Sequence, residues 1–394
     1  MKKRIIAIVF GIGSGQLMAG LVSIGEHVDV RWTYDAAADH WTGRARTTGT
    51  GSDVLWNFDD VFFPLSDKAY SAATPSNSGA RNIQPASAAY AFTGVAAGEP
   101  LWIAVQGTPG VGEVWPGFEN NQATGTLGSY LETDTRLPQP QTISREWITV
   151  RLKSVIYQGT GATPAFSLWT VSGGVPRVWM ATADGTGAGD SYPYAIGTHN
   201  HMNWGFGALG IYRIQVTATA YKGPGKTNPT AESGVYTLTF AVGPVANWQA
   251  TYFTGSELEN PAVCGLAADP DGDGLTNLQE YAFGYDPRKG SREPIATGLG
   301  LPVFFMETVG GSIYQALEYS RRKALTLTKP MEMIAEFSNL QSGWDAQPAA
   351  AESVSGFTGD QSALNAVWEK VHVRRIVPAG DGAGFGRVQV RQQD

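Results

Sequence analysis

Cysteine is almost missing from this 394-residue chain: Cys264 stands alone, which excludes an internal disulfide. Charge is also scarce. Charged residues make up 16% of the chain, the net charge is −7 and no extended Lys/Arg-rich stretch occurs, which argues against the phosphate neutralisation on which nucleic-acid binding rests. Past the N-terminus no apolar stretch is long enough to cross a bilayer. Catalytic signatures are missing too. There is no nucleophile elbow, no His-Glu-x-x-His and no phosphate loop. The glycines of "GAGFG" (382–386) precede no helix, and "GTGAGD" (185–190) reads as a loop. No catalytic residue is assigned.

What the chain does have is 49 glycines, 22 prolines and 42% apolar residues, a turn-rich composition with enough apolar side chains for real cores. Short runs such as "HVDVRWTY", "PLWIAVQG", "REWITVRLKSVIY", "AFSLWTVS" and "VYTLTFAV" alternate at period two between Gly, Pro, Asn and Asp. The fold expected is mainly β. Residues 21–243 form a β-sandwich or jelly-roll-like domain, 244–295 a short linker with helices near 248–254 and 275–283, and 296–394 a small C-terminal β domain. Gly-rich "GDGAGFG" (380–386) reads as a turn between the last two strands.

The opening "MKKRIIAIVFGIGSG" sets Lys2, Lys3 and Arg4 before the apolar run Ile5–Ile12, with small residues near Ala19 and Gly20. This is the layout of a secretory signal peptide over about residues 1–20, and it predicts an exported protein, extracellular or at the cell surface, without a membrane span in the mature chain. An uncleaved N-terminal strand is the alternative.

"DPDGDGLTNLQE" (269–280) fits the twelve-residue calcium loop position for position. Asp269, Asp271 and Asp273 supply converging carboxylates, Gly274 the bend, Leu275 a backbone carbonyl, Asn277 a direct or water-mediated contact and Glu280 the closing bidentate carboxylate. The plainer alternative is an acidic, solvated turn. The stretch resembles dockerin and thrombospondin type 3 loops. It is also similar to a linker that precedes C-terminal β modules in bacterial secreted proteins. A dockerin carries two such loops and this chain one, so a structural Ca²⁺ that stiffens the inter-domain joint is expected.

Histidine is rare, five in all, yet "GTHNHMNWGF" places two of them one residue apart. In a strand His199 and His201 project to one face, as do His27 and Asp29 of "GEHVDV". If the two segments are neighbours, three imidazoles and a carboxylate converge as a set suited to Zn²⁺ or Mn²⁺. Otherwise these are polar residues at the lip of a sheet. Trp204 and Phe206 share a parity and read as core. His40 reads as a hairpin-turn residue, and His372 is assigned to no site.

"LVSIGEHVDVRWTYD", "GEPLWIAVQGTPGVGEVWPGFENN" and "GTHNHMNWGFGALGIYRIQVTATA" together resemble the choice-of-anchor M domain of bacterial surface proteins over about residues 21–243. His199, His201, Asn203, Trp204, Phe206, Gly210 and Tyr212 match its closing motif, while Glu26 is an extra residue in the opening one. The resemblance implies surface metal handling, with His27, His199 and His201 as ligands and a surface transport system as partner. The chain departs from that family by ending in "GFGRVQVRQQD", with no sortase motif or hydrophobic-basic tail. Secretion, or attachment through the C-terminal module, is then the expectation. The alternative function is a carbohydrate or envelope-polymer binder that uses aromatics such as Trp115 among the 12 tryptophans.

Overall fold

Alternation at period two does here what it does in any half-buried strand: one set of side chains fills a core and the other faces outward. In the computed structural model, which describes residues 20–48, 52–75, 78–120, 122–138, 141–159, 164–323, 331–338, 345–346, 367–375 and 384–391, this yields a mainly β protein of several sheets. The leader expected over residues 1–20 lies outside the described residues except for Gly20, as does most of the Gly-rich turn expected at 380–386. Among the described residues no helix is long and apolar enough to cross a membrane.

Three sheets share one N-terminal core. The first has five strands: β1 (His27–Asp35), β2 (His40–Thr48), β3 (Asp53–Trp56), β4 (Trp115–Glu119) and β5 (His199–His201), in the order β5-β4-β1-β2-β3. Strand β4 runs parallel to β1 and antiparallel to β5. The second sheet orders Val175–Ala181, Phe166–Ser172, Asn203–Phe206, Pro100–Ala104 and Arg81–Ile83. The third is built on Val61–Leu65, Tyr236–Val242, Gly210–Thr219, Arg145–Gln158 and Ser191–Ala195. Val28, Val30, Trp32, Phe118, Leu168, Trp204, Phe206, Ile214 and Phe240, drawn from all three sheets, pack into a single buried cluster.

The segment 197–218 crosses between all three sheets. His199–His201 ends the first, Asn203–Phe206 lies inside the second and Gly210–Thr219 inside the third. Met202, fully buried, marks the first crossing. Trp204 and Phe206 fill the core as their parity predicts, and the Tyr212 hydroxyl closes the second crossing by pairing with the backbone of Ala208. His40 opens β2 opposite Asp35 rather than sitting in the turn itself.

Helices follow at Pro244–Tyr252 and Asn277–Phe283, close to the spans expected at 248–254 and 275–283. The second carries a Thr276–Gln279 capping box at its start and Gly284, in the left-handed region, at its end. Its Tyr281 packs with Trp248, Phe253 and Leu258, while its Ala282 and Phe283 pack with Leu317, Phe337 and Val373 of the C-terminal strands. Those strands form two three-stranded sheets, so the last two, Trp368–Arg374 and Phe385–Arg391, do not pair with each other.

The β1–β2 turn is clipped to the rest of the core by Asp39, whose carboxylate accepts from Lys222 Nζ at 2.8 Å, Tyr34 Oη at 2.7 Å and Ala231 N at 3.1 Å. The Lys222 bond foremost, with the other two, holds the Asp39 carboxyl down at about 2. A carboxyl lowered on folding contributes stability above its ordinary value of 3.8 and loses it as pH falls through about 2. An NMR titration is therefore expected to place the Asp39 midpoint near 2, and Lys222→Met to return it toward 3.8.

Candidate metal centre

Pairing across the first sheet assembles the site row by row. Asp29 lies opposite Arg46 on β2 and Gly117 on β4, and Gly117 lies opposite His201 on β5. The next row runs Arg31, Glu119, His199, and the row before it His27, Trp115. Residues in these rows share one face, because β1, β4 and β5 all keep the period of two. The opposite face carries Val28, Val30, Pro116 and Phe118 into the core. Thus His27 and Asp29, which lie 172 and 170 positions from His199 in the chain, meet it and His201 on one patch.

Three Nε2 atoms converge. His27 Nε2 lies 3.2 Å from His199 Nε2 and 3.1 Å from His201 Nε2. Asp29 Oδ1 is 2.8 Å from His199 Nε2, and Asp29 Oδ2 is 3.6 Å from His27 Nε2. Nitrogens that share one ion at about 2.0–2.1 Å in tetrahedral array stand roughly 3.3 Å apart, so this spacing is that of a ligand set. Hydrogen bonds alone leave one contact unmet, because the single Nε2 of His27 makes at most one well-aligned hydrogen bond and stands within 3.2 Å of two ring nitrogens. A cation in the centre satisfies all three.

Burial grades the site from floor to mouth. Asp29 is fully buried, whereas the His27 and His199 side chains are 31% and 43% exposed. His201 is intermediate, and its ring stacks on Trp115 with centroids 3.9 Å apart and planes 15° from parallel. Burial first, then the neighbouring His199 and His27, pushes the His201 pKa down to about 4, which keeps its ring neutral and ligand-ready at neutral pH. Asp29 Oδ2 also accepts from Arg46 Nη1 at 2.9 Å. Arg46 and Arg31 tie Glu119 and Asp53 into the same network, Arg31 Nε donating to Glu119 Oε1. The carboxylate is thereby fixed in place from behind, as outer-shell partners fix metal ligands elsewhere.

Gly117 leaves the room this needs. A Cβ there would meet Asp29 Oδ1 and the Asn200 carbonyl oxygen at 2.9 Å and His201 Cε1 at 3.0 Å. Glu26, the extra residue of the opening motif, takes φ 64° and its carbonyl accepts from Trp115 N at 2.7 Å, which sets the entry of β1 against β4. Trp115, Gly117, Glu119, Arg31 and Arg46 carry no metal assignment from the sequence reading. The alternation in "WPGFE" and the shared parity of His27, Asp29 and Arg31 are the signals that point to them. Trp115 does not stand out as a free platform: His201 stacks on it, and its Nε1 donates to the Gln106 carbonyl.

The second acidic group is the loop 269–280. Asp269, Asp271 and Asp273 converge. Asp269 accepts from Gly272 N and Gly274 N at 2.9 Å, Asp271 from Asp273 N at 3.2 Å and Asp273 from Leu275 N at 2.7 Å. Gly272 and Gly274 both take the positive φ such a bend requires. Asn277 spends its amide N–H groups on the carbonyls of Val263 and Gly265, leaving its Oδ1 buried and unpartnered. Glu280 is fully buried and neither of its oxygens has a hydrogen-bond partner. Burial, reinforced by Asp271, Asp273 and Asp269, pushes the Glu280 pKa up to about 8. A buried carboxyl with no partner costs several kcal/mol, about 3 or more, unless a proton or a cation meets it.

Gly117→Ala tests the packing of the metal centre. The added methyl group must displace Asp29, His201 or the Asn200 carbonyl, so the affinity for a transition ion is expected to fall about 10–100-fold, the range for a disturbed outer shell, and the thermal midpoint of the metal-free protein to fall as well.

Comparison of the chain with protein-family models, with curated proteins and with solved structures returns no match. The site is therefore defined by its own geometry: a cluster of three histidines and one aspartate able to hold a metal ion.

Proposed function

We propose that this protein is an exported, non-catalytic module that holds one transition-metal ion, Zn²⁺ or Mn²⁺, on His27, His199, His201 and Asp29, and a structural Ca²⁺ in the loop 269–280. The observation that carries the first part is the meeting of three imidazole Nε2 atoms, those of His199 and His201 standing 3.2 and 3.1 Å from that of His27, over a buried carboxylate. Nitrogen donors with one carboxylate match borderline first-row ions better than Ca²⁺ or Mg²⁺, which prefer oxygen. The two partly exposed histidines leave a solvent-side approach for the ion or for a partner that delivers or receives it. Glu119, the nearest further carboxylate, is held by Arg31 and Arg46 and is not free to act as a general base. The motif resemblance to the choice-of-anchor M domain and the leader-like start support placement at or beyond the cell surface.

Calcium in the loop is supported by the convergence of the three aspartates and by the buried, unpartnered oxygens of Glu280, whose carboxyl is pushed up by burial and by the same aspartates. The helix Asn277–Phe283 touches both the linker core and the C-terminal core, so an ion that fixes its first turn would stiffen the joint.

Elemental analysis of the purified full chain is expected to find about one transition ion per chain, and His199→Ala and His201→Ala each to lose it. Loading Mn²⁺ or Cu²⁺ should change the fluorescence of Trp115 through its stacked His201, and Trp115→Phe should remove that change. A protein that stays metal-free at micromolar Zn²⁺ and Mn²⁺ would overturn this reading. Separately, Ca²⁺ at a hundredfold excess over its dissociation constant should add about 2.7 kcal/mol of stability, and Glu280→Gln should abolish the gain in thermal midpoint.

A further inference from the structure

The two oxygens of Asp29 are used in opposite directions. Oδ1 serves the β5 side. It lies 2.8 Å from His199 Nε2, and it crowds the space over Gly117 together with His201 Cε1. Oδ2 serves the β2 side, where it accepts from Arg46 Nη1 at 2.9 Å. Oδ2 is also 3.6 Å from His27 Nε2. It therefore stands at the edge of the imidazole cluster, tied to a group outside it.

Arg46 is itself held from several sides. Its Nη1 also donates to Glu119 Oε2 at 3.1 Å, and its Nη2 donates to Asp53 Oδ1 at 2.7 Å. A guanidinium is planar and always charged, so these bonds fix its orientation as well as its position. The Arg46 side chain is 16% exposed and that of Asp29 is fully buried, which shelters their bond from screening by salt. Glu119, the next carboxylate, is kept from the cluster by the same guanidinium and by Arg31. Arg46 thus limits what the protein can bring to one ion: three Nε2 atoms and a single carboxylate oxygen.

The number of donors separates Zn²⁺ from Mn²⁺. Zn²⁺ is satisfied by four ligands in a tetrahedron and accepts imidazole readily. Mn²⁺ favours octahedral, oxygen-rich surroundings. A carboxylate free to turn both oxygens to the ion would add a fifth donor, and an oxygen, moving the site toward Mn²⁺. With Oδ2 tied to Arg46 that donor is withheld.

We propose that Arg46 sets the metal selectivity of this centre: by holding Asp29 Oδ2 it keeps Asp29 monodentate, limits the ion to four protein donors and favours Zn²⁺ over Mn²⁺. This selectivity rests on the metal centre proposed above and names its ion. Arg46 acts through Asp29 and is a positioning residue.

The test is to strip the full chain of metal and titrate it with Zn²⁺, Mn²⁺ and Co²⁺, alone and against a chromophoric chelator. The Co²⁺ form of the wild-type protein is expected to show the intense visible absorption of a four-coordinate ion. Arg46→Leu should shift it to the weaker absorption of a higher coordination number. Loss of the arginine charge raises the attraction for both divalent ions alike, so the ratio of the two affinities is the measure. The Zn²⁺/Mn²⁺ affinity ratio is expected to fall about tenfold or more in Arg46→Leu. Weak absorption from Co²⁺-loaded wild-type protein, or an unchanged ratio in Arg46→Leu, would each overturn the proposal. The wild-type spectrum decides the matter alone should the variant fold poorly. Wild-type protein that takes up none of the three ions would overturn the metal centre and this selectivity together, whereas an ion bound with the wrong spectrum or ratio overturns the selectivity alone.

Discussion

A fully buried carboxylate, Asp29, is the constraint on which the site and the sheet around it depend. A negative charge removed from water must be met from several sides. Arg46 meets it from one neighbouring strand and His199 from two strands away, across the gap left by Gly117. That demand explains why two arginines, three carboxylates and three histidines sit on the outer face of a sheet whose inner face is Val28, Val30, Trp32 and Phe118. It also explains the grading of the centre, a closed acidic floor beneath imidazoles that still reach solvent.

A comparable demand arises at Glu280. This carboxyl is buried with neither oxygen partnered, at the start of a helix that touches two hydrophobic cores. In both places electrostatics at one carboxylate is coupled to the packing of large apolar groups. A cation at either place would act on the architecture as well as on the charge. The two differ in donor chemistry, nitrogen-rich at β1, β4 and β5 and all-oxygen in the loop, and so would select different ions.

Much of this was legible in the residues. The mainly β class followed from alternation bounded by turn formers, and the loop 269–280 from the spacing of its aspartates, because both signals are local. His27 and Asp29 on one face, and His199 and His201 on another, followed from the period of a strand. Their meeting was a condition the sequence could state but not decide, since Asp29 and His199 stand 170 positions apart. The parallel pairing of β1 with β4, which brings them together, joins strands distant in the chain, and no short-range pattern specifies it. The sheet crossing at Met202 was hidden for the same reason: nothing local tells that Asn203–Phe206 pairs with other neighbours than His199–His201 does.

What the sequence determined by itself is therefore the periodicity, the turns, the oxygen-rich loop and the choice of imidazole and carboxylate at positions that face outward. Tertiary structure alone decided that Trp115 stacks on His201 instead of standing free, that Gly117 makes room between Asp29 and His201, and that Arg31 and Arg46 brace the carboxylates. The physical reason is that side-chain direction is a property of each strand, whereas proximity is a property of how strands pair, and pairing is settled by the burial of the whole core.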